Sequence, residues 1–181
     1  MDYINKGWDL LKPVSAYDES LPDDNPYEGK LYKVDKPVFP YDLKLMVEKN
    51  DAGVLRSTPF GNDYVADFAK VAIEKEMLGK DNVTDFLALS FSSTDYVGHI
   101  LGPRSMELQD TYLRLDVTIA DFLHYLDKTV GKGNYLVFLT ADHAGAENAQ
   151  FLKANKYSVT NIDYKEIPKN LKKFSTDTFG V

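Results

Sequence analysis

Two short apolar runs, Phe86-Leu87-Ala88-Leu89-Ser90-Phe91 and Tyr135-Leu136-Val137-Phe138-Leu139-Thr140, stand apart in a chain whose other hydrophobic positions recur at helical spacing. Tyr64, Val65, Phe68, Ala69, Ala72 and Ile73 follow Ser57-Thr58-Pro59, where Ser57 or Thr58 can cap a helix and proline is tolerated in the first turn. Gly79 supplies the stop. A second, longer stripe of Tyr112, Leu115, Ile119, Phe122, Leu123, Leu126 and Val130 follows the capping residue Ser105 and ends at Gly131 and Gly133. The two apolar runs have strand length and suit a sheet buried on both faces. Strand, helix, strand predicts a βαβ unit with a right-handed crossover, hence an α/β fold with a mostly parallel sheet. Ligands of such sheets bind outside the carboxyl ends of the strands, which directs attention to the loops after Phe91 and after Thr140.

Residues 1–52 follow neither period. Pro13, Pro22, Pro26, Pro37 and Pro40 fall among Asp, Glu and Tyr, and proline excludes long helices there. This segment is predicted to be loop and short strand covering the α/β core, residues 53–152. Residues 153–181 read as a polar tail or linker, with Lys169 to Lys173 a solvated helix end. The 181 residues, 44% hydrophobic and 27% charged, describe an ordinary globular protein able to bury one core. With 21 basic against 28 acidic side chains the net charge is −7, which disfavours nucleic acid as a partner. No apolar run approaches the roughly 20 residues of a membrane helix. The absence of cysteine excludes disulfides, thiolate zinc clusters and a cysteine nucleophile. Met1-Asp2-Tyr3 opens the chain without the basic and apolar regions of a signal peptide.

Past the first run stands Ser92-Ser93-Thr94-Asp95-Tyr96-Val97-Gly98-His99, and past the second Thr140-Ala141-Asp142-His143. Two of the three histidines thus lie at predicted strand ends, each with an aspartate close by. Carboxylate and neutral imidazole together suit zinc and exclude a purely oxygen-lined calcium site. An aspartate after a strand is also a common helix cap, and a single histidine a common hydrogen-bonding residue. Both pairs fall at one predicted sheet edge, and that coincidence favours a metal site at Asp95, His99, Asp142 and His143. His124 lies in the long helix without an acidic partner and is read as a packing or solvent-facing residue.

The stretch from Phe91 to His99, with Gly102-Pro103 and Ser105-Met106-Glu107 after it and Leu139-Thr140-Ala141-Asp142-His143 further on, resembles the alkaline phosphatase superfamily. The nearest branch is the bacterial one related to type I phosphodiesterases and nucleotide pyrophosphatases, which includes periplasmic, phosphate-irrepressible alkaline phosphatases. The similarity covers roughly Gly53 to Leu152. It implies a three-layer αβα sandwich, two zinc ions, and cleavage of phosphate monoesters through a covalent phosphoenzyme. By the same resemblance Asp95 and His99 would serve one zinc, and Asp142 and His143 the other. A phosphodiesterase or nucleotide pyrophosphatase, or a non-catalytic binding module that keeps the fold, are the alternatives. The implied setting is periplasmic or secreted, with a phosphate ester as the partner and neither nucleic acid nor membrane.

The chain also departs from that family. It has no family-type nucleophile motif before Asp95, no early strand ending in a ligand aspartate and no further histidine after His143. Thr58, beside Pro59, stands at a helix start rather than at the family's nucleophile position, and Thr94 is read as a loop hydrogen-bonder. Ala144 replaces the usual glycine. Glu107 and Asp110 are expected to favour the dipole of the long helix from its first turns, and Asp116 could support a ligating histidine. The expectation is an internal segment of a longer enzyme, since no signal peptide opens it and it stops at Phe179-Gly180-Val181. On its own it should show no turnover, its zinc sites empty or partly filled.

Overall fold

The structure, a computed structural model, describes residues 2–32, 34–160 and 164–180. Its described α-helices are α1 (Asp2–Asn5), α2 (Leu43–Lys49), α3 (Phe60–Lys75), α4 (Ser93–Leu101), α5 (Met106–Leu126), α6 (Ala149–Ala154) and α7 (Glu166–Phe179). Short 3-10 turns lie at Val14–Ala16 and Ala52–Ser57, and a π turn at Asp127–Gly131. The chain divides into two compact units, Met1–Glu147 and Asn148–Val181.

Three helices position the site, and each starts for its own reason. The predicted first helix is α3, which follows Pro59 directly, where the missing N–H leaves no bond unmade. The predicted second is α5, started by Ser105, whose Oγ accepts from the Leu108 amide at 3.2 Å. It ends through the π turn, after which Gly131 and Gly133 take φ of 107° and 88°, values that a side chain would strain. Ala66, Ala69 and Ile73 of α3 pack on Phe122 of α5, the small alanines allowing the helices to approach closely. Between them in sequence, α4 has no local side-chain cap. It is held instead by burying Val97 and Leu101 completely among Trp8, Leu31, Tyr41, Leu43 and Phe60.

The proline-rich segment is therefore a structural part of the core. Its strand content reduces to one antiparallel bridge, Trp8 to Tyr41. It closes over the first turns of α5, whose buried face is polar: Glu107, Asp110 and Thr111 are each 0% exposed. The expected helix-dipole role of Glu107 and Asp110 gives way to a different one. Asp110 accepts from Trp8 Nε1 at 2.7 Å, the Leu11 amide at 2.8 Å, the Tyr17 hydroxyl at 2.5 Å and Arg114 Nε at 2.6 Å. One carboxylate so satisfied can be buried without an orphaned charge. Burial, and then the bond to Asp110, push the Tyr17 phenol up to about 12. Glu107 accepts from the Tyr41 hydroxyl, while its other oxygen is buried without a partner.

The predicted sheet is the main point of difference. Neither Phe86–Phe91 nor Tyr135–Thr140 forms a ladder, and the described residues contain no β-strand. The segments nevertheless keep traces of the two-residue period. Leu89 and Phe91 pack against the cluster formed by α3 and α5, whereas Phe86 is 89% exposed. Leu136, Phe138 and Leu139 are likewise exposed. One helical layer thus covers one face of the first segment, while the expected second cover and the neighbouring strands are not among the described residues. A strand is defined by its pairing partners, so apolar composition alone cannot form it.

In the second unit, Asn148 Oδ1 caps α6 by accepting from the Gln150 and Phe151 amides. The tail holds more order than its composition predicts: α7 runs 14 residues with Ile167, Leu171 and Phe174 exposed along one stripe. These three stand at i, i+4 and i+7 among lysines, a stripe hidden by the polar composition around it.

Candidate metal centre

Asp95 and His99 stand one helical turn apart on α4, so their side chains share a face. His99 Nε2 lies 3.2 Å from Asp95 Oδ1. The same oxygen lies 3.6 Å from Nε2 of His143, which arrives from the loop after the second apolar run. The two imidazole rings meet edge to face, with centroids 6.3 Å apart and planes at 63°. Ligand atoms of Asp95, His99 and His143 all fall within 4.8 Å of one another, and all three residues are exposed to solvent. Residues 44 positions apart in sequence thus converge around one carboxylate oxygen.

Local bonds set the orientation of His143. Its amide donates to Asp142 Oδ1 at 3.2 Å, turning the backbone back on the preceding side chain. Its Nδ1 lies 3.3 Å from the Ala144 carbonyl, an acceptor for an Nδ1 proton in the tautomer whose Nε2 can ligate a metal. Asp142 stands at the margin: Oδ2 is 3.7 Å from His143 Nε2, its side chain is 90% exposed, and it lies outside the three-residue group. The loop bearing His143 is tied to the loop after α4 by Arg104 Nε and Glu147 Oε2 at 2.9 Å. That clasp was not legible in the sequence, because nothing in the spacing of Arg104 and Glu147 marks them as neighbours.

The remaining candidates separate clearly. Thr58 is fully buried and donates its hydroxyl to the Leu55 carbonyl at 2.8 Å, which removes it from any role at the surface. Thr94 lies in helix α4 rather than in the loop expected after Phe91, and accepts at Oγ1 from Asn62 Nδ2 at 3.1 Å. His124 is exposed in the last turn of α5, where its carbonyl accepts from the Asp127 amide. Asp116 is an exposed residue of α5. Two imidazole nitrogens and a carboxylate oxygen, open to solvent on one side, form a donor set that fits zinc and leaves room for a further ligand.

Comparison with known proteins finds relatives along nearly the whole chain. The type I phosphodiesterase / nucleotide pyrophosphatase family matches residues 11–167. The chain is 48% identical over 181 residues to a protein of Myroides odoratus named calcium-transporting ATPase, covering 99% of this chain and 33% of that protein. It is 50% identical over 151 residues to alkaline phosphatase PhoV of Synechococcus elongatus, covering 83% of this chain and 27% of the relative. Alkaline phosphatase PafA of Elizabethkingia meningoseptica is 43% identical over 98% of this chain and 32% of that protein. The crystal structure of wild-type PafA superposes with a TM-score of 0.91 over 99% of this chain and 34% of that one. The chain therefore spans about a third of the length of the relatives that it matches.

Proposed function

Because the chain belongs to the type I phosphodiesterase / nucleotide pyrophosphatase family of the alkaline phosphatase superfamily, we propose that it forms part of a two-zinc phosphohydrolase acting on phosphate monoesters. The convergence of Asp95, His99 and His143 on one point carries the reading. Zinc, when bound, supplies Lewis-acid charge that offsets the negative charge of a phosphoryl group. Asp95 and His99 would hold one ion, and Asp142 and His143 the other, the two pairs meeting where His143 Nε2 lies 3.6 Å from Asp95 Oδ1. Each aspartate would add the formal negative charge that helps to keep a dication beside an imidazole. The Ala144 carbonyl would accept the Nδ1 proton of His143 when Nε2 ligates a metal. The monoester preference rests on the relatives named alkaline phosphatases; the name of the matching family keeps diesters as the second substrate class.

Neither threonine weighed as a nucleophile is free for the role: Thr58 is buried and bonded, and Thr94 is engaged with Asn62. The phosphoenzyme of the proposed reaction therefore needs a hydroxyl from elsewhere in a longer enzyme, and the 181-residue chain alone should not turn over. A periplasmic or secreted setting goes with this proposal. No described helix is long and apolar enough to cross a membrane.

Zinc analysis and hydrolysis of 4-nitrophenyl phosphate and bis(4-nitrophenyl) phosphate by the full-length enzyme test the reading. Bound zinc and a faster monoester reaction are expected. Full activity after metal removal by a chelator would overturn the proposal, and a faster diester reaction would replace its substrate class.

A further inference from the structure

Helix α4 carries two of the proposed ligands and yet begins without the usual local support. Ser92 at its N-cap position makes no capping bond; its Oγ instead lies 2.8 Å from Ser90 Oγ. The free amide at the start of the helix is satisfied from another element. Asn62, in the first turn of α3 and 1% exposed, accepts at Oδ1 from the Ser93 amide at 3.2 Å. Its Nδ2 donates to Thr94 Oγ1 at 3.1 Å. One carboxamide therefore grips the two residues immediately before Asp95, using both its acceptor and a donor. The approach is close: a Cβ added to Gly61 would lie 2.1 Å from Ser93 Oγ and 2.8 Å from the Leu55 carbonyl oxygen.

We infer that Asn62 is a positioning residue for the metal centre, a cap supplied by α3 that fixes the rotation and height of α4 and hence where Asp95 and His99 point. The inference rests on the two-zinc reading. Burial gives it force, because an asparagine excluded from water loses its hydrogen bonds without replacement if α4 rotates away. Apolar contacts at Val97 and Leu101 hold α4 in the fold but tolerate small rotations. A bidentate polar grip on the first turn does not, and a ligand pair one turn apart amplifies any rotation at the metal.

The test uses the full-length enzyme, with zinc affinity measured by competition against a chromophoric chelator at a temperature below unfolding. The variants are Asn62→Ala, Asn62→Asp, Thr94→Val and His99→Ala. Asn62→Ala should weaken zinc binding by about 10-fold or more, the range for loss of a group that orients ligands. Asn62→Asp keeps the acceptor for the Ser93 amide and should stay within about 3-fold of the parent. Thr94→Val removes only the second bond and should fall between them. A merely structural residue would lower the melting temperature while leaving the affinity of the folded protein unchanged. Parental affinity in both Asn62→Ala and Thr94→Val would overturn the inference, and if Asn62→Ala does not fold, parental affinity in Thr94→Val alone would do so. Parental affinity and activity in His99→Ala would instead show that the zinc reading itself is wrong.

Discussion

His99 and His143 converge on the Asp95 carboxylate, with ring centroids 6.3 Å apart and both Nε2 atoms within 3.6 Å of Asp95 Oδ1. A helix and a distant loop thus deliver three ligand-type atoms to one place. The consequence is an unequal dependence on the three histidines.

In the full-length enzyme, His99→Ala and His143→Ala should each remove most of the bound zinc and lower phosphatase activity at least about 100-fold, since water replaces an imidazole ligand poorly. His124→Ala, at the exposed end of α5, should leave both within about 2-fold. Metal analysis beside kcat/KM decides the matter. Equal losses in all three variants would mean that stability, not ligation, is being measured.

Asp110 joins the proline-rich segment to α5 through four donors, among them the indole of Trp8, the only tryptophan. Asp110→Ala leaves a buried Arg114 contact and an indole N–H unpaired, a loss of about 3–5 kcal/mol. Urea unfolding followed by Trp8 emission should show the lower midpoint, and the emission of the folded variant should shift to the red. A change below 1 kcal/mol would show that water takes the place of the carboxylate.

Burial, with the nearby charges of Asp23 and Asp110, raises the Glu107 carboxyl to about 7; burial and the charge of Glu107 raise Glu28 to about 8. Both titrate near 4.3 in an unfolded chain. Between about pH 4 and 8 the folded protein keeps protons that the unfolded chain has released, so their contribution to stability is full below that window and is lost as pH rises through it. Glu107→Gln keeps an acceptor for Tyr41 and removes one titration. Its unfolding free energy should fall less steeply between pH 5 and 7 than that of the parent, as read from denaturant midpoints. Parallel curves would refute the assignment.

Phe86, Leu136, Phe138 and Leu139 stand exposed on segments without a strand partner. Such surfaces associate. The 181-residue chain should sediment as concentration-dependent oligomers, and Phe86→Ser with Phe138→Ser should shift it toward the monomer. A parent that stays monomeric at about 100 μM would show that these apolar segments do not drive association.

Local signals in the sequence determined helices α3 and α5. Ser105 acts through a capping bond, Pro59 through its fixed φ and the glycines at 131 and 133 through positive φ, all within a few residues, so α3 and α5 were readable from spacing alone. The aspartate and histidine types at Asp95, His99, Asp142 and His143 were readable for the same reason, as was their place beside the apolar runs. Tertiary structure decided what depends on residues far apart. It drew His143 to Asp95 and left Asp142 at the margin, buried Glu107 and Asp110 beneath Trp8, Tyr17 and Tyr41, and assigned the capping of α4 to Asn62 rather than to Ser92. It also left the two apolar runs unpaired. A helix closes its hydrogen bonds within its own segment, whereas a strand, a buried carboxylate and a shared ligand site each need a partner whose position local sequence does not encode.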